Sequence, residues 1–370
     1  MRIGFVLFHW FPHGGLQQDL VKIVRACQGR AEISIHCQRW EGERIEGVQT
    51  HVTGETQWSK VAGREAFATY VQQQVKPSVD VLVGFNRLPG LDYYFAADSC
   101  FAHQAMQRNF LYRLTPRARQ YLRFEQAVFG ATSSTVALLL SQRQRAQYQL
   151  HYQTPEARLI DLPPGIKREH CAGEDAAMLR ESFRREFSIS EQSLVVLQVG
   201  SSFTTKGVDR SLQALAALPE SLKQRVHYFL LGRDKRLEDW KRKAASIGLG
   251  SRCHFLDSSQ SVRRCMQGAD LLLHPSRHES AGMVILEAVV AGLPVLTTSE
   301  CGYAEHVVRA QAGLVCREPF TQAELNVLLQ QMLSADRHQW RTHGIDYGRR
   351  HDLYSMPQFV ASLLLAPRAN

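Results

Sequence analysis

Short apolar runs alternate with longer amphipathic stretches along the 370-residue chain. Short apolar runs bounded by turn residues are typical of buried strands, and amphipathic stretches are typical of helices. A helix is predicted directly after Gly14–Gly15, and another is predicted from about Glu65 to Val75. In the first half of the chain the predicted strands are RIGFVLF (2–8), EISIHCQ (32–38), VDVLVGF (79–85) and STVALLLS (134–141).

A second series of the same kind follows the sequence LPPG at Leu162–Gly165. Strands that alternate with helices favour parallel sheets covered by helices on both faces. Because Pro-Pro-Gly interrupts the pattern and the chain is longer than one core usually spans, we predict an α/β protein with two Rossmann-like, doubly wound domains that face a cleft. The predicted strands of the second series are SLVVLQVG (193–200), VHYFLLG (226–232), CHFLD (253–257), DLLLHP (270–275) and LPVLTT (293–298).

Composition narrows the class of partner. With 44 Lys and Arg against 35 Asp and Glu, the chain carries a formal net charge of +9, which favours an anionic partner such as a nucleotide or an acidic membrane surface. The eight cysteines form no C-x-x-C pair and no zinc spacing, so we interpret them as reduced residues of a cytoplasmic protein. The apolar N-terminus lacks a signal-peptide cleavage site, and no run is long enough for a membrane span.

The loops of chemical interest follow the ends of predicted strands, where doubly wound sheets bind their ligands. Gly14 and Gly15 allow backbone amides to approach a phosphate, and a plain strand-to-helix turn is the alternative. Lys206 precedes Gly207 in a loop rich in hydroxyl groups and suits a diphosphate, with a solvated surface lysine as the alternative. No G-x-G-x-x-G and no G-x-x-x-x-G-K-[ST] occurs, so neither a dinucleotide fingerprint nor a P-loop is supported.

The stretch HESAGMVILE, His278 to Glu287, carries two carboxylates at an unusual spacing. Ala281 and Gly282 allow amides at the start of the next helix, Met283 included, to point at an anion. Glu287 would lie about 6–8 Å along that helix at roughly 1.5 Å per residue, where its carboxylate can accept hydrogen bonds from a ribose diol. Glu279, before the turn, would reach the group beyond the phosphates. The spacing therefore predicts a nucleotide-sugar site.

These residues give the chain a family resemblance. Glu279-x7-Glu287, Lys206–Gly207 and Gly14–Gly15 resemble the family 4 retaining glycosyltransferases, which have the GT-B fold. Over nearly the whole chain the sequence is similar to the lipopolysaccharide core enzymes among them. The motifs that carry this similarity are FPHGGLQQDL, FAADSCFA, FLYRLT, LPPGI, KGVDRS, ADLLLHP, GLPVLTT and, near the end, DLYS.

The resemblance implies an acceptor-side domain over residues 1–163 plus about 350–370 and a donor-binding domain over 164–349. It implies transfer of a hexose or hexosamine from a UDP-sugar to inner-core heptose on lipid A–core, with retention; the alternative is another lipid- or glycan-linked acceptor. No cofactor and no metal is expected, and no D-x-D occurs in the chain. Front-face attack by the acceptor, with the departing phosphate oxygen as base, is favoured over double displacement through Glu279.

The resemblance also assigns roles to single residues. Glu287 would bind the ribose, Lys206 the leaving diphosphate, and Glu279 hydroxyls of the donor sugar near the reacting carbon. Asp98 is a second catalytic candidate on the acceptor side, with an ordinary helix-cap aspartate as the alternative. The loop of Lys206 lacks the arginine common in the family, so Arg168 is a further candidate for the phosphates. The other predicted donor contacts are Gly14, Gly15, Asp19 and the backbone of Ala281, Gly282, Met283 and Val284.

The stretch from Phe101 to Gly130 is basic and aromatic. One interpretation is a core-packed helix pair with a solvated cationic face. The other is an interfacial segment that rests on anionic lipid, at the cytoplasmic face of the inner membrane. No nucleic-acid-binding pattern accompanies it, so no nucleic-acid partner is expected. An oxidoreductase, which would need the missing glycine fingerprint, and a basic scaffold protein, in which Glu279 and Glu287 would have no purpose, are the competing classes. The candidate membrane contacts are Arg108, Arg113, Arg117, Arg119 and Arg123.

Overall fold

The computed structural model describes residues 1–12, 14–55, 59–257 and 260–367. The chain forms two compact units, the first made of Met1–Gly165 with Leu353–Asn370 and the second of Ile166–Asp352. His13, which belongs to the predicted glycine loop, lies outside the described residues.

In the described part of the first unit, a seven-stranded parallel sheet has the order β3-β2-β1-β4-β5-β6-β7. Its strands are β1 (Arg2–Trp10), β2 (Glu32–Trp40), β3 (Gln49–Val52), β4 (Val81–Gly84), β5 (Tyr93–Phe95), β6 (Val136–Leu139) and β7 (Leu159–Asp161). The helices between them are α1 (Gly15–Cys27), α2 (Lys60–Tyr70, continued by a π-helical turn over Val71–Val75), α3 (Phe101–Met106), α4 (Phe110–Leu114), α5 (Pro116–Phe129) and α6 (Gln142–Tyr152).

The second unit repeats this architecture. Within its described residues a six-stranded parallel sheet has the order β10-β9-β8-β11-β12-β13. Its strands are β8 (Leu194–Val199), β9 (Val226–Leu231), β10 (Cys253–Leu256), β11 (Leu271–His274), β12 (Val295–Thr298) and β13 (Gly313–Cys316). Its helices are α7 (Ala176–Glu186), α8 (Val208–Ala216), α9 (Glu220–Lys223), α10 (Leu237–Ser246), α11 (Val262–Gly268), α12 (Met283–Val290), α13 (Ala304–Arg309), α14 (Gln322–Ser334) and α15 (His338–Arg350).

The chain returns to the first unit with its last helix, α16 (Met356–Leu365), which packs on α1. The amide of Met356 donates to the carbonyl of Pro164 at 3.3 Å. Gly165 lies so close to Met356 that a Cβ there would come within 2.7 Å of that methionine's terminal methyl carbon. The end of the Pro-Pro-Gly segment and the start of the last helix are therefore packed together in one unit.

The predicted α/β class with two parallel sheets is confirmed. The core of each sheet consists of the apolar runs that the sequence pattern indicates, and Phe5, Val83, Val196 and Leu272 are fully buried. Four strands were not predicted, namely β3, β5, β7 and β13. Each has only three or four residues.

Candidate active site

The order of the second sheet brings together two of the loops that were predicted to bind the donor. β8 and β11 are neighbours at the centre of that sheet, although they are far apart in sequence, and the strand order reverses between them. Such a reversal opens a crevice at the carboxyl ends of the strands. The loop after β8 carries Lys206 and the loop after β11 carries Glu279. The Ser276 hydroxyl and the Arg277 amide both donate to the carbonyl of Thr205, at 3.0 and 2.9 Å, and join the two loops.

Gly207 allows this close approach. Its φ is +71°, and a Cβ there would lie 2.0 Å from the carbonyl oxygen of Pro275. A side chain at this position is therefore excluded both by backbone conformation and by contact with the neighbouring loop. From below, the buried Gln198 in β8 donates its amide to the carbonyl of Lys206 at 2.7 Å. Gln198 in turn accepts from the hydroxyls of Ser211 and Tyr228, so the backbone of the lysine loop is fixed by a buried polar network.

Glu279 lies at the centre of the site, between Lys206 and His274. One carboxylate oxygen accepts from Lys206 Nζ, and the other lies 2.7 Å from His274 Nε2. Burial alone would raise the pKa of Glu279, but His274 and Lys206 outweigh it and lower the pKa to about 2. Glu279 is therefore held as a carboxylate with a fixed orientation. The sequence did not indicate His274, although a histidine that ends a buried apolar strand is a visible signal.

The turn between the two glutamates is fastened to the loop after β12. The amide of Tyr303 donates to the carbonyl of Ala281 at 2.7 Å, and that of Gly302 donates to the carbonyl of Glu279 at 3.1 Å. Gly282 then begins α12 as its N-cap with φ +92°. The first amides of a helix have no partner within the helix, so those of Met283 and Val284 remain suited to an anion. The sequence predicted a helix that starts at this turn, and α12 begins there and spans Met283–Val290.

Glu287 lies on α12 and faces His170. Its Oε1 is 3.6 Å from His170 Nε2, and both side chains are mostly buried. The Nδ1 atom of His170 is buried and has no hydrogen-bond partner among the described residues. Sequence reasoning missed His170, which lies on a short 3-10 turn two residues after the predicted phosphate contact Arg168. Arg168 itself is exposed.

Two further arginines hold the lysine loop, and the sequence analysis missed both. Arg277 makes a bidentate pair with Asp209 at 2.7 and 2.8 Å and donates to the carbonyl of Thr204 at 2.8 Å. Arg236, from the loop after β9, donates to the hydroxyl of Thr204 at 2.6 Å. The arginine that the lysine loop lacks in sequence is thus replaced near it by arginines from other loops. These arginines lie near the lysine loop because of the strand order, which could not be predicted from the sequence.

One group of side chains at this site has the types and spacing of metal ligands. His274, Glu279 and Cys301 each offer a ligand atom, and these atoms lie within 4.8 Å of one another. Lys206 already neutralises Glu279. Burial raises the pKa of the Cys301 thiol to about 12, so it stays protonated. A thiol must lose its proton to bind a metal, and the group is therefore poorly suited to a cation while Lys206 occupies it.

In the first unit, the predicted glycines stand at the start of α1. Gly14 is the N-cap, and a Cβ on Gly15 would meet nothing within 4 Å, so space is open beside the backbone. Asp19 is buried, and its carboxylate accepts from Lys22 at 2.9 Å. Burial raises the pKa of Asp19, and Lys22 opposes that shift. Asp19 thus has a structural partner, and its role toward a donor stays a prediction.

Asp98 is exposed in the loop after β5 and lines a cavity of about 600 Å³. The helix-cap interpretation is wrong, because the N-cap of α3 is Cys100. The first amides of α3 are taken instead by Glu125, which accepts from Phe101 and Ala102 at 2.7 and 2.8 Å. Asp98 is therefore available to a ligand in the cavity.

Four of the five arginines of the basic stretch are exposed, and Arg113 is half-buried. Arg108 and Arg117 line the cavity that contains Asp98, Arg123 pairs with Glu65, Arg113 stacks on the ring of Phe110 at 5.3 Å, and Arg119 is exposed. Four apolar side chains of α3 and α4 are exposed by 43% or more, which a core-packed helix pair does not explain. They are Met106, Phe110, Leu111 and Leu114.

The chain is similar to known glycosyltransferases over nearly its whole length. The chain is 42% identical to the lipopolysaccharide glucosyltransferase WaaG of Escherichia coli (strain K12), over 98% of each chain. A crystal structure of WaaG, a glycosyltransferase involved in lipopolysaccharide biosynthesis, matches with a TM-score of 0.91 at 40% identity, over 98% of this chain and 99% of that one. Residues 180–350 match the family model of the glycosyl transferases group 1. These likenesses confirm the predicted GT-B fold class.

A more distant structure shows the fold alone. The Anabaena protein HepE, solved in complex with UDP and glucose, has a TM-score of 0.69 at 17% identity, over 99% of this chain and 95% of that one. Both units are covered in each of these full-length likenesses.

Proposed function

The chain belongs to the family of the lipopolysaccharide glucosyltransferase WaaG, and we propose that it transfers a hexose or hexosamine, with retention, from a UDP-sugar to heptose of the lipopolysaccharide inner core. The observation that carries this proposal is 42% identity over 98% of both chains, because it includes both units. The UDP part is supported by HepE, a structure of the same fold that binds UDP and glucose. Another lipid- or glycan-linked acceptor is the alternative.

The geometry of the second unit supports different roles for Lys206, α12, Glu287 and Arg168. Breaking the bond between sugar and diphosphate develops negative charge on the leaving oxygens, and fixed donors at that point lower the barrier. In the proposal, Lys206 and the first amides of α12 take that charge. Glu287 accepts the ribose hydroxyls, and Arg168 is a further contact for the phosphates.

Glu279 binds hydroxyls of the donor sugar in this proposal. A carboxylate whose pKa is lowered to about 2 by His274 and Lys206 is a good hydrogen-bond acceptor. The same pairing makes it a weak nucleophile, because its charge is already shared with two donors. This favours front-face attack, with the departing phosphate oxygen as base, over a covalent intermediate on Glu279.

We propose that the reaction needs no metal. Lys206 supplies a positive charge to the diphosphate, and the chain contains no D-x-D with which a metal-chelating glycosyltransferase would hold its ion. Transfer is expected to survive excess EDTA after gel filtration. Activity that is lost with EDTA and restored by Mg²⁺ or Mn²⁺ would reject this part of the proposal.

The central experiment is a panel of UDP-, GDP- and ADP-linked sugars with purified inner-core acceptor. Transfer from a UDP-sugar is expected, and the anomeric configuration of the new bond, measured by NMR, should equal that of the donor. An inverted product would remove the retaining mechanism, and transfer from GDP- or ADP-sugars alone would remove the donor assignment. A glycosyl adduct trapped on Glu279 would favour double displacement.

The proposed location is the cytoplasmic face of the inner membrane, with α3 to α5 of the first unit on the anionic lipid surface. Among the described residues, no helix is long and apolar enough to cross a membrane. The exposed Phe110 and Leu111 support partial insertion, and Arg113 and Arg119 support attraction to anionic headgroups. Vesicles that contain anionic lipid should retain the protein at low salt, and failure to do so would contradict this location.

A further inference from the structure

The cavity that contains Asp98 lies at the switch point of the first sheet. The strand order reverses between β1 and β4, and residues that follow these strands line the cavity, together with Asp98 after β5. Its volume of about 600 Å³ is that of a site for a small ligand or part of a larger one. Apart from Asp98, the charged groups that line it are basic: Arg64, Arg87, Arg108, Arg117 and the ionisable His9.

Three of these arginines are held by aromatic rings and not by carboxylates. The guanidinium of Arg64 lies 4.7 Å from the ring centre of Tyr121, and that of Arg117 lies 5.7 Å from the same ring. Arg108 lies 4.4 Å from the ring centre of Tyr112. In the part of the chain that the structure describes, none of the three has a carboxylate within ion-pair distance. A ring orients a guanidinium and leaves its N–H groups available to an anion.

Other arginines in or near the cavity do have carboxylate partners. Arg87 is buried and lies 3.3 Å from Glu125, and Arg123 pairs with Glu65 on the outside of α5. Arg64 is next to Glu65 in sequence and still has no ion-pair partner among the described residues. Arg64, Arg108 and Arg117, which have no ion-pair partner among the described residues, therefore line the same cavity.

Two buried polar atoms on the cavity lining also lack partners. Nη1 of Arg64 and Oε1 of Gln120 are shielded from solvent and make no hydrogen bond in the described structure. Gln120 is 96% buried, since only 4% of it is exposed, and its Nε2 is already bound to the carbonyl of Val61 and to Glu65. A buried polar group without a partner destabilises the protein, so both atoms point to a missing ligand.

We propose that this cavity binds a carboxylate or phosphate group carried by the acceptor beside the sugar that receives the hexose. Arg64, Arg108 and Arg117 hold the anion, and Oε1 of Gln120 accepts a hydroxyl of the same sugar chain. This inference rests on the proposed function and adds the chemical class of the acceptor. A glycan anion is favoured over a lipid headgroup because the cavity lining includes the buried, unpartnered atoms of Arg64 and Gln120, while the exposed apolar side chains Phe110 and Leu111 are not among its lining residues.

The test uses a deacylated, soluble acceptor in three forms: intact, dephosphorylated, and with its carboxyl groups reduced. Wild type, Arg64→Gln and Arg117→Gln are compared by steady-state kinetics and by calorimetric binding of each acceptor. Arg30→Gln, at an exposed site in the turn after α1, is the matched control. On the intact acceptor, loss of one charged hydrogen-bond donor should raise KM by about 10-fold or more with kcat and donor KM little changed.

Comparison of the three acceptor forms identifies the anion. Wild type and both variants should bind equally weakly to the form from which the recognised group has been removed. The inference is overturned if Arg64→Gln and Arg117→Gln leave acceptor KM unchanged, or raise it equally for all three forms. It is also overturned if they alter retention on anionic vesicles and not binding of the soluble acceptor, since the arginines would then contact lipid. If wild type transfers no sugar at all but still binds the intact acceptor through these arginines, the proposed function fails and this inference stands.

Discussion

The cations of the two units are held in opposite ways. In the second unit, Lys206 and Arg277 are each paired with a carboxylate, Glu279 and Asp209 respectively. In the first unit, Arg64, Arg108 and Arg117 lie on aromatic rings without such a partner among the described residues. The paired cations have a fixed position, and part of their charge is already compensated. The stacked arginines are oriented as well, but their charge remains available.

This difference fits two tasks. A group that stabilises a leaving diphosphate must be in place before the charge develops, because reorientation during the reaction would cost free energy. The Lys206–Glu279 pair, with Gln198 holding the lysine backbone, provides that fixed geometry. A site that recognises a permanent anion needs uncompensated positive charge instead, and aromatic rings orient arginines without neutralising them.

The largest expected effect tests whether Lys206 acts on the leaving group. Lys206→Gln should lower kcat by roughly 10²–10³-fold, the usual result of removing one fixed donor from a developing charge. Glu279→Gln should also lower kcat. If the two side chains work as a pair, the double variant should lose less than the sum of the two single losses, expressed as free energies. The measurement is a double-mutant cycle on kcat at saturating donor and acceptor.

Additive losses in that cycle would mean that Lys206 and Glu279 act separately. The pairing of cations with carboxylates in the second unit would then have no role in catalysis. Lys235→Gln serves as the control, because Lys235 is an exposed lysine of the same unit. A loss of kcat in the control would point to the overall charge of the unit and not to the pair.

The second effect concerns stability and pH. Glu279 has its pKa lowered from 4.5 to about 2, so its pairing stabilises the folded state fully above the unfolded pKa. That contribution, on the order of 3 kcal/mol, should be lost progressively as the pH falls from about 4.5 toward about 2. The difference in urea midpoint between wild type and Glu279→Gln should therefore shrink over this range and stay constant above it. A difference that does not change with pH would show that the pair does not stabilise the folded chain.

The loops predicted to bind the donor could be picked out from the sequence because their signals are local. A small-residue turn and a helix start are visible in HESAGMVILE, a buried strand precedes it, and α12 begins at the predicted turn. Contacts between loops are different. Arg236 reaches Thr204, and His170 faces Glu287, only because strands distant in sequence become neighbours. The spacing of residues along the chain does not predict these contacts.

The basic stretch shows the same limit in the first unit. From the sequence, five arginines among aromatic residues look like one membrane surface. In the structure all three of Arg108, Arg117 and Arg119 are exposed, but only Arg108 and Arg117 line the cavity. The thirty residues form three helices, α3, α4 and α5, so side chains that are close in sequence have different surroundings. The unpaired state of Arg64 could not be read from sequence either, because Glu65 follows it directly and pairs elsewhere.

The third effect tests the ribose contact. Glu287→Gln should weaken UDP binding by about 1.5–3 kcal/mol, because one charged hydrogen-bond acceptor is lost. UDP affinity is measured by calorimetry without acceptor, and Glu220→Gln, an exposed carboxylate on α9, is the control. If Glu287→Gln binds UDP as wild type does, the ribose assignment is wrong. His170 would then be the remaining partner of Glu287, and the pair would be structural.

The smallest expected effect separates Arg119 from the arginines that line the cavity. Arg119 is exposed on α5, two residues from Arg117, which lines the cavity. Arg119→Gln should weaken retention on anionic vesicles by about 1 kcal/mol, the usual contribution of one arginine near such a surface, and the loss should disappear at high salt. Sedimentation with vesicles at two ionic strengths measures it, with Arg30→Gln as the control. If Arg117→Gln weakens vesicle binding as much as Arg119→Gln does, the cavity arginines contact lipid too. The unpaired charge of the first unit would then serve the membrane and not a glycan anion.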